Sequence, residues 1–269
     1  MEDIKMKHVI IRIISIYLFI GCAFVVNYAF TQPSGREIIQ MVKDSPDGDN
    51  RKSVMTMTLV NHRGAERVRT IVSYSQDFGP DSKSIMFFSA PADVKGTGFL
   101  SWQYDDPEKD DDRWLYLPAM KKVRRISGSS AKKENFMGSD FTYDDMGGRS
   151  VDEDEHTLIG EEKVDGFVCW IIESTPLDDN STYSKKISWI RQDALVPVKV
   201  EFYDRMGALL KTLTASEITQ EGDIWTTRRL EMVNHQRNHR TIITLDEIVY
   251  DIDLNKSLFT VPALERGIL

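Results

Sequence analysis

The sequence predicts a mainly β protein built on one antiparallel sheet wide enough to curl. Three observations carry this reading. Segment after segment alternates apolar and polar residues with a period of two. Short polar turns containing Gly join these segments, as antiparallel hairpins require. Helix signals are confined to one capping box near the start and a few short stretches.

Taken in order, the chain opens with Lys5, Lys7 and Arg12 and then an apolar run from Ile13 to Phe30. A basic start before an apolar run is the pattern of an export signal. The run is long for a cleaved signal and just reaches the roughly 20 residues that span a bilayer. Two outcomes are therefore expected, cleavage after Ala29 or Thr31, or retention as an anchor. Residues 1–31 are set apart as signal peptide or membrane anchor, and 32–269 are read as a single domain. Cys22 in "LFIGC" resembles a lipoprotein site, yet Phe19 stands where Leu is usual and the residues after Cys22 are apolar rather than a polar tether. A leader cysteine that is discarded fits better. Removing 31 of 269 residues leaves 238; the leader holds three basic and two acidic residues, so the net charge moves from −8 to −9. That length is ample for a core. Such an acidic chain is not expected to bind nucleic acid.

Ser34 and Glu37 form a capping box before "IIQMV", predicting a helix from about Gly35 to Asp44 that "DSPDGDN" ends. Strands follow. In "SVMTMTLV", Met55, Met57 and Leu59 share one face and Thr56 and Thr58 the other. "RVRTIVSY" alternates likewise, "SIMFFSA" is apolar throughout and reads as central, and "GTGFLSWQY" and "RWLYLP" are rich in aromatics. Later strands are predicted at "HTLIGEEKV", "GFVCWIIES", "KKISWIR", "PVKVEFY", "LLKTLTASEI", "IWTTRRLEMVN" and "RTIITLDEIVY". Asp165-Gly166 predicts a two-residue turn with positive φ at both positions. Helix in the middle of the chain is expected only in "SGSSAKKENFMG", with a short turn near Ser257 to Leu258. About eleven strands cannot remain a flat open sheet. A curled sheet has a concave face that either packs on itself or encloses something.

Catalytic and metal chemistry is weakly represented. His235 and His239 are four apart, but "VNHQRNHRT" reads as a hairpin tip without further ligands, so no metal site is expected. Ser129 and Lys132, or Ser130 and Lys133, match Ser-x-x-Lys without its companion motifs. Nucleophile elbow, Walker loop and dinucleotide fingerprint are all missing from the sequence. "DDPEKDDD", Asp105 to Asp112, lacks the spacing of a calcium loop and reads as a solvated hairpin loop. Cys169 in "FVCWII" reads as a buried strand thiol. An enzyme is not expected, nor is a cofactor.

The distinctive stretch is "RWLYLPAMKKVRRISGSSAKKENFMGSDFTYDDM". From Arg113 to Lys133 it carries seven Lys or Arg and no acid; Glu134, Asp140, Asp144 and Asp145 then follow among large apolar side chains. "RWLYLPAMKKVRRI" followed by "FMGSDFTYDDM" resembles the signature of the exported outer-membrane lipoprotein-sorting proteins, an uncharacterised branch of the LolA/LolB-like superfamily. "VDGFVCWII", "YDRMGALLKT" and "LFTVPALER" also fit, so the resemblance covers nearly all the chain after the leader. It implies an incomplete β-barrel, with helices plugging the concave side, and an apolar cavity that holds the acyl chains of a lipid or lipoprotein. It also implies a location in the periplasm, or anchored facing it, an RND-type membrane transporter as partner, and no catalytic residues. Other members of the superfamily serve as periplasmic sensors, so a protein-interaction module using the same groove is the alternative. A monomer is expected.

On that basis, Trp114 to Leu117 and Lys121 to Ile126 are expected as a hairpin turning at Pro118-Ala119-Met120. "SSAKKENFMGSDFTYDDM" would then cross the mouth of the curled sheet. Phe136, Met137, Phe141 and Met146 would face the cavity, with Trp102, Trp114, Tyr116 and Trp189 contributing aromatic lining. Arg124 or Arg125 would meet an anionic head group, because a planar guanidinium bonds it bidentately. Successive strand residues point to opposite faces, so at most one of the two can do so. The other reading pairs them with Asp140, Asp144 or Asp145 and makes each aromatic a core residue.

Overall fold

The computed structural model describes residues 32–267; the apolar N-terminal run and Cys22 lie outside them. After helix α1 (Gly35–Lys43) come β1 (Asn50–Val60), β2 (Glu66–Phe78), β3 (Asp81–Ala90), β4 (Gly98–Gln103), β5 (Asp112–Leu117) and β6 (Lys122–Ile126). A connecting segment holds the one-turn helix α2 (Ser129–Lys132) and two 3-10 turns. Then follow β7 (Asp154–Val164), β8 (Phe167–Pro176), β9 (Lys185–Arg191), β10 (Pro197–Tyr203), β11 (Leu209–Glu221), β12 (Ile224–Asn234), β13 (His239–Tyr250) and helix α3 (Val261–Arg266). Every segment read as a strand from the sequence contributes to one. Among the described residues the total is thirteen rather than about eleven, all antiparallel in one unclosed sheet. The capping box at α1 is made: Glu37 N donates to Ser34 Oγ and Ser34 N to Glu37 Oε2. Asp165 and Gly166 both have positive φ, 51° and 88°. Among the described residues no helix is long and apolar enough to cross a membrane.

The strand order is β6-β5-β4-β3-β2-β1-β13-β12-β11-β10-β9-β8-β7. The first and last strands therefore pair at the centre, and β6 and β7 form opposite edges. The segment joining them, residues 127–153, must travel from one edge of the sheet to the other. Its contacts prove that the sheet is curled. Asp144 pairs with Arg113 of β5 at 3.6 Å, while its neighbour Asp145 pairs with Lys211 of β11 at 2.5 Å. Those strands are seven steps apart in the sheet, a separation of about 34 Å if the sheet were flat. Adjacent residues, about 3.8 Å apart at Cα, can touch both only across a concave face.

That concave face holds most of the core. Ile71, Met86, Phe88, Phe99 and Leu115 pack against the crossing segment on one side, and Phe202 and Met232 on the other. Over β8 and β9, α1 covers the same face, with Ile38 on Ile172 and Ile190. The convex face is also partly covered. There Phe259 and Leu264 of the C-terminal region pack on Ile85, Phe87 and Leu100. Coverage of both faces explains why "SIMFFSA" shows no alternation.

Candidate functional site

The crossing segment is pinned by polar contacts to β2, β13 and β11. Arg69 of β2 donates to the Met137 carbonyl at 2.6 Å, where Met137 and Gly138 both take positive φ. Asp140 accepts from Thr241 Oγ1 at 2.8 Å and lies 2.6 Å from His239 Nδ1. Asp145 accepts from Lys211 Nζ, from Tyr183 Oη at 2.9 Å and from the Thr142 amide at 2.7 Å. Lys211 is 2% exposed and Asp145 is 9% exposed. Burial pushes the Asp145 carboxyl up, but the Lys211 charge and these donors together hold it below the usual carboxylate value. Burial and the neighbouring Asp145 push the Tyr183 hydroxyl far up, so it stays a donor.

The ten residues singled out from the sequence do not converge on one cavity. Phe136 and Phe141 are buried in the concave core, where Phe136 stacks on Phe88 and meets Phe99 and Tyr143 edge-on. Met137 and Met146 pack beside them. Trp102, Trp114 and Tyr116 point the other way, to the convex face. Trp102 donates from Nε1 to the Phe259 carbonyl at 3.0 Å and meets Trp114 edge-on at 5.0 Å. Trp189 is buried among Cys169 and Val198 and donates to Glu162. Cys169 is a fully buried free thiol, whose pKa burial pushes up. Arg124 and Arg125 do alternate sides, pairing with Glu134 at 3.0 Å and with Asp112. The partners expected for them, Asp140, Asp144 and Asp145, are engaged elsewhere. Edge strand β6 lies far from the middle of the sheet, where Asp140 and Asp145 meet β13 and β11. Of the basic stretch 113–133, it is Arg113, 3% exposed, that reaches this acidic run, pairing with Asp144.

His235 and His239 flank the β12–β13 tip, with His235 on Thr212 and His239 on Asp140. No group of His, Cys, Asp and Glu that could hold a metal is found among the described residues.

Among the described residues, the concave face is incompletely filled over β12, β13 and β1. A cavity of about 250 Å³ opens there, lined by half-buried Met55, Leu230, Ile243, Leu245 and Ile248. A β-bulge at Val54/Met55 creates it. Met55 pairs with Leu245, and Ser53 with Ile248, so the bulge turns both Leu245 and Ile248 inward. The sequence signal is a change of phase in "TIITLDEIVY", where the apolar residues shift from odd to even positions. At the mouth, Arg51 pairs with Asp47 and Arg228 with Glu221, so the entrance offers no unpaired cation. A second cavity of about 350 Å³, between the residues after α1 and the β9–β10 and β11–β12 turns, shares Asp47 and Trp225 with it. The first falls just below, and the second within, the range of about 300–1,000 Å³ usual for ligand sites.

A family model described as an uncharacterized protein matches residues 80–266. Among solved structures, an outer membrane lipoprotein-sorting protein domain from Vibrio parahaemolyticus is 35% identical, covering 86% of this chain and 98% of that one, with a TM-score of 0.81. A DUF1329 family protein from Desulfovibrio piger is also 35% identical, covering 86% and 97%, with a TM-score of 0.82. A LolA superfamily protein from Nitrosomonas europaea shares the fold at 19% identity, covering 86% and 100%, with a TM-score of 0.67. No functionally curated protein matches the chain.

Proposed function

The chain belongs to the DUF1329 family of outer-membrane lipoprotein-sorting proteins, within the LolA superfamily, and on that premise we propose that it carries acyl chains of a lipid or lipoprotein outside the cytoplasm. The observation that supports this most is the concave groove of Met55, Leu230, Ile243, Leu245 and Ile248. These are aliphatic side chains left half-covered on the concave face. Covering an aliphatic side chain fully is worth about 1.5–3 kcal/mol. A flexible hydrocarbon chain matches this lining, and the paired charges at the mouth suit an uncharged glyceryl head. The finer reading, in which an RND-type transporter exchanges the cargo, rests on the family resemblance alone.

The test is what the protein retains. The chain purified from envelope fractions of a Gram-negative host is expected to release acylated lipid, identified by mass spectrometry after solvent extraction. Native mass spectra should show the bound mass at one or two copies per chain. Protein free of lipid from such a source would defeat the carrier reading and favour a protein partner for the same groove.

A further inference from the structure

The convex face carries a separate cavity of about 490 Å³ at the C-terminal end of α3. Its floor is sheet. Val54 pairs with Val72 and Val72 with Phe87, while Phe87 and Tyr116 flank Gly98; Tyr74 lies one pair further along the same face. Gly98 is what lets α3 sit so close, since a Cβ there would lie 2.7 Å from Leu264 Cδ1 and 2.8 Å from Phe87 Cε1. Most of the lining is apolar, and none of it belongs to the concave groove.

The rim is different in character. Lys52, Lys95 and Arg266 stand around the opening, with Glu265 as the one carboxylate among the described residues. Lys52 lies 5.9 Å from the Tyr74 ring centre. No ion pair of these three cations is found among the described residues, whereas Arg51, Arg113, Arg124, Arg125, Arg149 and Lys211 all have acidic partners. A chain of net charge −8 that leaves three cations around an apolar hole presents charge complementarity to an anion with a hydrocarbon tail. Each side chain can lay its methylenes along the apolar wall and keep its charge at the rim.

We propose that this convex pocket binds a single-chain anionic amphiphile, a long-chain fatty acid. The tail lies over Val54, Val72, Phe87 and Tyr116, and the carboxylate sits among Lys52, Lys95 and Arg266. The site is distinct from the concave groove in face, lining and head-group preference, and it stands whether or not that groove carries lipid.

Irradiation of the full chain with a palmitate analogue bearing a diazirine on its tail tests this, with labelled peptides read by mass spectrometry. Saturable labelling is expected in the peptides that hold Phe87 and Tyr116. Palmitate should compete for it about tenfold better than its uncharged methyl ester, because three exposed charge contacts, each weak alone, act together. The combined variant Lys52→Gln, Lys95→Gln, Arg266→Gln alters only exposed side chains and should erase that preference while the far-UV spectrum stays unchanged. Labelling confined to peptides with Leu230 and Leu245 would overturn the proposal and leave the concave reading standing. Equal competition by the methyl ester, or a preference that survives in the triple variant, would overturn it as well. So would labelling that appears only after Ile268 and Leu269 are deleted, because the pocket would then serve the chain's own end.

Discussion

Replacing Asp145 by Ala is expected to cost about 3–5 kcal/mol of folding stability, the typical result of removing one partner from a buried ion pair. Lys211 would be left 2% exposed, with its ammonium still donating to the Asp140 carbonyl but facing no counter-charge. Tyr183 would lose its acceptor and the Thr142 amide its partner. These contacts tie the crossing segment to β11, so the loss should appear as a large drop in the denaturant midpoint. The pH dependence has a defined sign. The folded-state pKa of Asp145 lies below its ordinary 3.8. Its contribution is therefore fully present at neutral pH and is lost as pH falls through 3.8 toward the lower folded value. Asp145→Asn should be destabilised at pH 7 and should lack that part of the parent's acid limb. Equal stability of parent and Asp145→Asn at pH 7 would show that the pair does not hold the segment.

Phe136→Ala is expected to cost a similar amount, about 3–5 kcal/mol, as for other buried aromatic truncations. Phe136 has no exposed surface and contacts Phe88, Phe99 and Tyr143, rings that come from the sheet and from the segment itself. Its loss opens a void that those rings cannot close without moving the backbone. Equilibrium unfolding in urea checks this. A change within about 0.5 kcal/mol, the size usual for surface substitutions, would mean that Phe136 borders a cavity rather than filling one.

The two substitutions also mark how far the sequence could be read. Strands were legible because period-two alternation and Gly-containing turns are local properties. The β5–β6 hairpin appears where expected, and the course of the segment after it across the curled sheet was implied by the family resemblance. The face that each aromatic occupies was not legible. It depends on registers between strands far apart in sequence, and the register puts Trp102, Trp114 and Tyr116 opposite Phe136 and Phe141. Lys211 in "LLKTLT" reads as an exposed strand residue, and only the long-range approach of Asp145 makes its burial tolerable. Helix α3 was missed although Thr260 caps it, Pro262 sits in its first turn and Gly267 ends it. At six residues it is too short to show periodicity. The concave groove was missed because it arises from a bulge, visible in sequence only as the change of phase between Leu245 and Ile248.

The central claim is that the concave groove holds an uncharged acyl chain, and equilibrium titration with a fluorescent monoacylglycerol tests it most directly. The uncharged head keeps the convex, cation-rimmed pocket from dominating the signal. The parent is predicted to bind saturably, and Leu245→Asp, which sets a carboxylate among Met55, Ile243 and Ile248, should weaken binding at least about tenfold, since burying an unpaired polar group costs more than 1 kcal/mol. An unchanged far-UV spectrum would confirm that the variant is folded. A parent that does not bind, or a folded Leu245→Asp that binds as tightly as the parent, would contradict the claim.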